Sequence, residues 1–280
     1  MERGLLYQLG ALSPERFEAL RSEVQLAESL GLDAIWCLPL TDDHGGFRGG
    51  APAIWLAGLA AETERIRLGW GLPGLWPPQE PPVREAEQAA SLDGASGGRL
   101  DVGLLPELEG GAAEDAVLDE GVRMLVDMWA PATFSWGSAR FRVPPIDVVP
   151  KPVQQPHPPI GLIGWTPAHA EAAGRAGLGF LDVSGGDEAI WQTHRACYVS
   201  GRATADPREL VCGESFGVVA DLAAGSERAR AAEGLGARAL ARDWLEELEG
   251  MGLDRVLLRA GPLEGGHAAA CARIRWWGET

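Results

Sequence analysis

Cysteine is scarce in this sequence, with four residues in 280. Cys37, Cys197, Cys212 and Cys271 are far apart and form no CxxC pair. That spacing does not suit a zinc site, and a disulfide framework is not expected in a chain of this length. We therefore expect free, buried thiols in a protein of the reducing cytoplasm.

Basic residues and long apolar runs are also in short supply. The formal net charge is −16 and the isoelectric point about 4.7, which argues against affinity for nucleic acid or for an anionic membrane surface. Apolar runs stay well short of the roughly 20 residues of a membrane span. The start, Met1-Glu2-Arg3, leads into only a short apolar run, so we predict no signal peptide and a cytoplasmic location.

Short apolar runs, each followed by a helical pattern, recur along the whole chain. Such runs without alternation are typical of a parallel sheet that is covered on both faces. Eight alternating units predict an α/β fold, a single (β/α)8 TIM barrel over residues 1–280, with an open doubly wound sheet as the alternative. The predicted strands are Leu5–Leu9, Ala34–Leu40, Ile66–Leu72, Leu100–Leu105, Ile160–Gly164, Gly179–Ser184, Val211–Ala220 and Val256–Ala260.

A long proline-rich insertion, Ala130–Pro159, separates the fourth helix from the fifth strand. Irregular segments of this length inside a domain are often functional lids. We therefore expect the insertion to lie over the mouth of the barrel.

Two short motifs match known sequence patterns but lack the secondary structure that those patterns require. Gly69–Gly74 matches GxGxxG after a strand, but the prolines that follow delay the helix that a dinucleotide site needs. Gly213–Gly217 matches the GxSxG of serine hydrolases, with Asp254 and His267 in the expected order. The apolar run continues past Ser215, which predicts a strand in place of the required sharp turn, so a serine hydrolase is the weaker alternative from another class.

Several longer blocks resemble the bacterial luciferase-like monooxygenase family. They are "AESLGLDAIW" (Ala27–Trp36), "LAAETERIRLG" (Leu59–Gly69), "PPVREAEQAASLDGASGGRLDVGL" (Pro81–Leu104), "PKPVQQPHPPIGLIG" (Pro150–Gly164) and "AAGRAGLGFLDV" (Ala172–Val183), with a weaker match at "WLEELEGMGLDRVLL" (Trp244–Leu258). The resemblance implies a (β/α)8 barrel that binds its cofactor at the C-terminal mouth.

The function that the resemblance implies is flavin-dependent oxidation or monooxygenation. The cofactor is then reduced FMN, supplied by a separate flavin reductase, or a deazaflavin in one branch of the family. We expect a small, largely apolar substrate that reacts with oxygen, and a homodimer, since members of the family commonly dimerise.

One family feature is missing after the strand Leu100–Leu105. The family usually has an arginine there that meets the flavin phosphate, and this chain has Pro106 followed by Glu107. A carboxylate repels a phosphate where a guanidinium binds it. The alternative to the enzyme is therefore a luciferase-like barrel that has lost flavin binding and is non-catalytic or independent of a cofactor.

Candidate catalytic residues follow the second strand, in the run Thr41-Asp42-Asp43-His44. The family usually shows an acid–His pair here, and His44 with Asp43 or Asp42 suits proton transfer to a flavin or substrate group. The structural alternative is an aspartate that caps a turn beside a surface histidine.

The candidate cofactor-binding residues follow other strands. Indoles beyond strand ends can stack on a flavin ring or merely close the top of the barrel, and a relocated phosphate suits the loops after late strands. Arg259 is the base nearest to such a loop. The candidates are Trp70, Gly71 and Leu72, then Gly164, Trp165 and Thr166, then Ser184 and Gly185.

Trp276 and Trp277 lie near the end of the sequence. If exposed, they indicate a subunit interface; if buried, they belong to a packed closing helix.

Overall fold

The described part of the chain alternates between strands and helices. The computed structural model describes residues 1–9, 14–41, 47–48, 51–73, 81–106, 112–185, 188–206, 211–220, 244, 246–259 and 266–279. The strands are β1 (Glu2–Leu9), β2 (Ala34–Thr41), β3 (Phe47–Arg48), β4 (Arg67–Pro73), β5 (Leu100–Leu105), β6 (Phe134–Gly137), β7 (Arg142–Ile146), β8 (Ile160–Gly164), β9 (Gly179–Asp182), β10 (Phe216–Ala220) and β11 (Arg255–Arg259). The helices are α1 (Pro14–Ser29), α2 (Pro52–Ala60), α3 (Val83–Ala95), α4 (Ala112–Trp129), α5 (Pro167–Arg175), α6 (Glu188–Thr204) and α7 (Gly266–Gly278).

The eight predicted strands are the strands of a closed parallel barrel. They are hydrogen-bonded in the order β1-β11-β10-β9-β8-β5-β4-β2, and β1 pairs with β2 to close the ring. This closure confirms the TIM-barrel prediction over the open sheet. The seventh barrel strand begins at Phe216, later than Val211, so Ser215 lies before the strand and not inside it.

Alternate side chains divide between the inside and the outside of the barrel. The interior holds one apolar cluster: Leu6, Ala34, Trp36, Leu38, Leu105, Ile163, Leu181, Val219 and Leu257. The other strand residues join the larger cluster between the sheet and the helices. Every residue of β5 is buried, as expected for parallel strands that are covered on both faces.

Charged side chains occupy the N-terminal end of the barrel. Asp101, 2% exposed, accepts a hydrogen bond from Arg67 Nε at 3.1 Å and one from Arg255 Nη2 at 3.0 Å. Glu2 Oε2 accepts from Arg255 Nε at 2.7 Å. Burial opposes the charge of Arg67, but the hydrogen bond and charge of Asp101 outweigh it and raise the pKa of Arg67. The two guanidinium groups are therefore compensated by two carboxylates.

The proline-rich insertion lies at this N-terminal end, so the prediction that it covers the mouth is wrong. Buried Asp93 of α3 accepts hydrogen bonds from the backbone N–H groups of Val153 (2.8 Å) and Gln154 (2.9 Å). Gln154 Oε1 also accepts from Arg67 Nη2 at 3.3 Å. The reason is topological: α4 runs back from the mouth, so the chain that leaves it starts at the opposite end. Strands β6 and β7 form an antiparallel hairpin within the insertion.

The closing helix α7 is packed, not exposed. Trp277 is fully buried and donates from Nε1 to Gly4 O at 3.1 Å, and Trp276 is 7% exposed. The two indoles therefore close the core beside β1 and give no support to a subunit interface at this pair.

Candidate functional site

The C-terminal ends of the barrel strands meet at one edge, the mouth, which is where such barrels carry their chemistry. β2 ends at Thr41, directly before the predicted catalytic residues. Asp42, Asp43 and His44 lie outside the described residues, as does Glu107. Their roles remain predictions.

β4 reaches the mouth, but it presents glycine and not tryptophan to the interior. Trp70 is 6% exposed and Leu72 is 1% exposed, and both pack between the sheet and the helices. This differs from the expectation that Trp70 stacks on a cofactor, because strand alternation turns Gly69 and Gly71 inward. A Cβ at Gly71 would lie 2.3 Å from Leu38 Cδ2, so this glycine lets Leu38 lie against β4.

The wall just inside the mouth is apolar. Leu38 and Leu105 are buried in the interior cluster, and half-buried Val183 packs against it. A flat, apolar ring would meet hydrocarbon on this side, which suits the dry environment that a reduced redox ring requires.

The loop after β8 holds one indole in a defined position. Thr166 caps α5 by accepting a hydrogen bond from His169 N at 3.2 Å, and Pro167 occupies the first helical position, as the sequence predicts. The His169 ring meets the Trp165 indole edge-on at a centroid distance of 4.8 Å. Trp165 N donates to His169 Nδ1 at 3.4 Å.

Gly164 has a packing role in the same loop. A Cβ at this position would lie 2.6 Å from His169 Cβ and 2.8 Å from Phe180 Cε2. The glycine therefore lets α5 approach β9 closely. Of the three predicted residues after β8, half-buried Trp165 is the one left to contact a ligand.

A buried acid–histidine pair supports the loop after β9. Asp182 is fully buried and His194 of α6 is 4% exposed, with 2.5 Å between Asp182 Oδ2 and His194 Nδ1. The other oxygen, Asp182 Oδ1, accepts from Ser184 N at 2.9 Å. Gly185 follows at φ +64°, a conformation that favours glycine. The carboxylate thus links the mouth loop to α6.

Sequence reasoning missed Asp182, His194 and His169. The available signal was an aspartate within the apolar run "GFLDV", since an acid in a buried strand needs a partner. The partner, His194, is twelve residues further along, and the sequence offers no local pattern that joins the two.

Arg259, at the end of β11, brings positive charge to the same loop. Its Nη2 donates to Val183 O at 3.3 Å, so the guanidinium lies beside the residues that precede Ser184. By contrast, half-buried Pro106 after β5 has no backbone N–H to donate to an anion. Positive charge at the described mouth is therefore placed at β9–β11 and not at β5.

The structure does not bring the serine-hydrolase candidates Ser215, Asp254 and His267 together as a catalytic triad. Ser215 lies at the N-terminal end of the barrel. Asp254 Oδ2 accepts a hydrogen bond from Phe216 N at 2.8 Å, and His267 Nδ1 lies 3.0 Å from Glu23 Oε1. The predicted acid and base are thus each engaged with another group.

Comparison with known families shows which family this chain belongs to. A family model described as luciferase-like monooxygenase matches residues 4–255. The chain belongs to the luciferase-like monooxygenase family. The match spans seven of the eight barrel strands and ends at the first residue of β11, so the family's fold and the observed fold agree.

Curated members of the family that resemble this chain use different cofactors. The oxygenase component of the flavin-dependent trigonelline monooxygenase of Acinetobacter baylyi is 28% identical over 164 residues, which are 53% of this chain and 43% of that protein. The F420-dependent glucose-6-phosphate dehydrogenase of Kineococcus radiotolerans is 29% identical over 177 residues, 57% of this chain and 50% of that protein. The chain thus spans about half the length of the curated relatives that it matches.

Solved structures of the luciferase-like fold superpose on the whole chain. Monooxygenase RslO1 from Streptomyces bottropensis has a TM-score of 0.74 and 24% identity, with 100% of this chain and 98% of that chain covered. An F420-dependent secondary alcohol dehydrogenase has a TM-score of 0.70 and 14% identity, with 99% and 98% covered. At these identities the likeness concerns the fold alone.

No group of three or more His, Cys, Asp and Glu side chains within the described residues is arranged to hold a metal ion. Among the helices of the same residues, none combines the length and apolarity needed to cross a bilayer.

Proposed function

We propose that this chain is an oxidoreductase of the monooxygenase type, which binds reduced FMN at the barrel mouth and oxidises a small, largely apolar molecule with oxygen. The observation that carries the proposal is the family match over residues 4–255, which is most of the barrel. The apolar wall formed by Leu38 and Leu105 supports it, because a flat redox ring needs such a surface. When bound, the reduced flavin would supply the electrons that reduce oxygen, so that one oxygen atom enters the substrate and the other is released as water.

The residues that would hold the flavin follow β8, β9 and β11. Trp165 is the indole available for contact with the ring. Arg259 and the backbone of Ser184 and Gly185 would hold the phosphate, because the guanidinium already lies against this loop. His44, with Asp43 or Asp42, remains our candidate for moving a proton at the reacting group.

Reduced flavin would come from a separate reductase, and we propose a homodimer, as expected for this family. The A. baylyi relative is named as the oxygenase component of its enzyme, which supports a two-protein system here. The F420-dependent relatives support a deazaflavin as the alternative cofactor.

The second candidate is a barrel that has lost flavin binding. Pro106 after β5 and the outward position of Trp70 favour it, because both remove groups that the sequence assigned to cofactor binding. The two candidates differ in one property, the affinity for a flavin.

Titration with FMN, riboflavin and a deazaflavin, each reduced and oxidised, separates the candidates. We expect saturable FMN binding that Arg259→Gln weakens about 10- to 100-fold, the value of a charge-assisted contact. Riboflavin, which lacks the phosphate, should bind equally well to both forms. Exposed Arg142 on the insertion provides the matched control Arg142→Gln, which should change nothing. Absence of binding by all three compounds at high micromolar concentration contradicts the proposal.

The proposed role of His44 has its own test. His44→Ala should abolish turnover of the substrate while flavin affinity stays constant, because the side chain moves a proton and does not hold the ring. Unchanged turnover would remove His44 from the mechanism.

A further inference from the structure

A cavity lies at the N-terminal end of the barrel, opposite the proposed flavin site at the mouth. Its volume is about 210 Å³, and its lining includes Trp36, Asp101, Gly161, Gly179, Ser215 and Arg255. Apart from Trp36, the strand residues among these are the first or second of their strands. The cavity is therefore separate from the mouth, and no residue of the proposed flavin site lines it.

Glycines create the cavity. The inward positions at the start of β8, β9 and β10 are Gly161, Gly179 and Gly217, where barrels of this type usually place side chains that fill the interior. Gly179 does not have a positive φ. A Cβ there would make only ordinary contacts, the nearest with Ser215 Cβ at 3.5 Å. The backbone therefore permits a larger residue at Gly179, and the space is left open.

The indole of Trp36 forms one wall and carries an unpartnered donor. Trp36 is 3% exposed, and its Nε1 has no hydrogen-bond acceptor among the described residues. Trp129 Nε1 donates to Ala86 O at 3.0 Å and Trp277 Nε1 to Gly4 O at 3.1 Å, whereas buried Trp191 Nε1 also has no acceptor among the described residues. Burying an N–H group without an acceptor costs free energy, so most buried N–H groups in native proteins have a hydrogen-bond partner. A bound molecule with an acceptor atom would satisfy it.

The charges around the cavity favour an uncharged occupant. The guanidinium of Arg255 lies 5.4 Å from the centre of the Trp36 ring and is already paired with Glu2 and Asp101. The exposed carboxylate of Glu214 lies at the rim. Burial raises the pKa of the Cys212 thiol, so this group is neutral near pH 7. An anion would find no uncompensated cation among the described lining residues.

We propose that this cavity is a second binding site, for an uncharged, flat molecule of two fused rings that accepts a hydrogen bond from Trp36 Nε1. The size follows from volume: an apolar cavity of about 150 Å³ holds benzene, and this one is larger. The indole face, Ile163 and the three glycines provide the flat apolar surface. The site is independent of the flavin, because the mouth lies at the other end of the barrel.

Quinoline is a suitable probe, since it is neutral at pH 8 and has one ring acceptor. In ¹H–¹⁵N spectra, the Trp36 indole N–H is identified as the resonance that Trp36→Phe removes. Quinoline should move this resonance downfield in a saturable way. Naphthalene, which has the same shape without an acceptor, should not move it downfield. Protons of bound quinoline should also show Overhauser contacts to the Ile163 methyl groups of the unaltered protein.

Two glycine variants locate the binding. Gly179→Leu should weaken quinoline binding at least about tenfold, because the side chain takes up the volume that the ring needs. Gly94→Ala on α3, outside the cavity and with nothing within 4 Å of the new Cβ, should keep the affinity within about twofold. Quinoline should raise the unfolding temperature of wild type and Gly94→Ala but not of Gly179→Leu. FMN affinity should be the same in all three.

The proposal is overturned if quinoline leaves the Trp36 resonance in place up to its solubility limit, or if the Ile163 contacts are absent. It is also overturned if Gly179→Leu binds quinoline like wild type, since binding then occurs elsewhere.

Discussion

The buried pair Asp182–His194 should contribute strongly to stability and to the shape of the mouth. Asp182 is fully buried. It accepts two hydrogen bonds, from His194 Nδ1 and from Ser184 N. Hydrogen bonds to a charged group contribute about 1.5–3 kcal/mol each. Asp182→Ala also takes the acceptor away from buried His194 Nδ1 and part-buried Ser184 N, so we expect a loss of about 3–5 kcal/mol in the free energy of unfolding.

Urea denaturation followed by circular dichroism measures this loss, with equal slopes in the two proteins as the condition for comparing free energies. The exposed residue Asp147 provides the control Asp147→Ala, which removes one surface ion pair and should cost less than about 1 kcal/mol. Asp182→Asn keeps one acceptor oxygen, so its loss in the free energy of unfolding should lie between those of Asp182→Ala and Asp147→Ala.

A double-mutant cycle tests whether the two side chains act as a pair. Asp182→Ala combined with His194→Phe should lose less stability than the sum of the single variants, with a coupling of at least about 1 kcal/mol. Additive losses would refute the reasoning, as would a loss below about 1 kcal/mol in Asp182→Ala. If the pair also shapes the flavin site, FMN affinity falls in Asp182→Ala and stays unchanged in Asp147→Ala.

Three further predictions concern the rest of the barrel. Gly103→Ala should destabilise the fold by about 1–3 kcal/mol in denaturant titration, because the new Cβ would lie 2.5 Å from Ile163 Cδ1 and 2.6 Å from Trp36 Cζ3; an unchanged midpoint would contradict this packing. Glu28 accepts three backbone hydrogen bonds, which outweigh the effect of burial and lower its pKa. Its contribution is present above the pKa of the unfolded chain, about 4.3, and is lost as the pH falls through the lower folded value, so Glu28→Gln should flatten the pH dependence of stability in that acid range. Burial raises the pKa of Cys37 to about 12, so native protein should resist alkylation there at pH 8 while urea-unfolded protein reacts; equal rates would refute the burial.

The barrel was predictable because each strand carries its own signal. Runs such as Leu100–Leu105 are continuously apolar, and a run of that kind indicates a strand buried on both faces whatever its neighbours are. The cap at Thr166 was readable for the same reason, since a cap and its helix are adjacent in sequence. The position of the insertion was also readable, because each helix of a (β/α)8 barrel returns the chain to the N-terminal end, and the prediction of a lid over the mouth overlooked this.

In the candidate site, too, features that are local in the sequence were predictable, and features that depend on tertiary contacts were not. The sequence predicts cofactor binding at the loops after β8 and β9, since strand ends and glycines are local features, and this assignment stays a prediction. It misjudged Trp70, because the side of the sheet that a residue faces depends on the register of the whole strand. It missed the contact of Asp182 with His194, whose residues lie on different elements.

By itself, the sequence determined the order of strands and helices, the parallel sheet and the family, because periodicity and local motifs encode these directly. Only the tertiary structure decided which side chains face the interior and how three inward glycines leave a cavity beside Trp36. Those features depend on barrel closure, which brings together residues that are far apart along the chain.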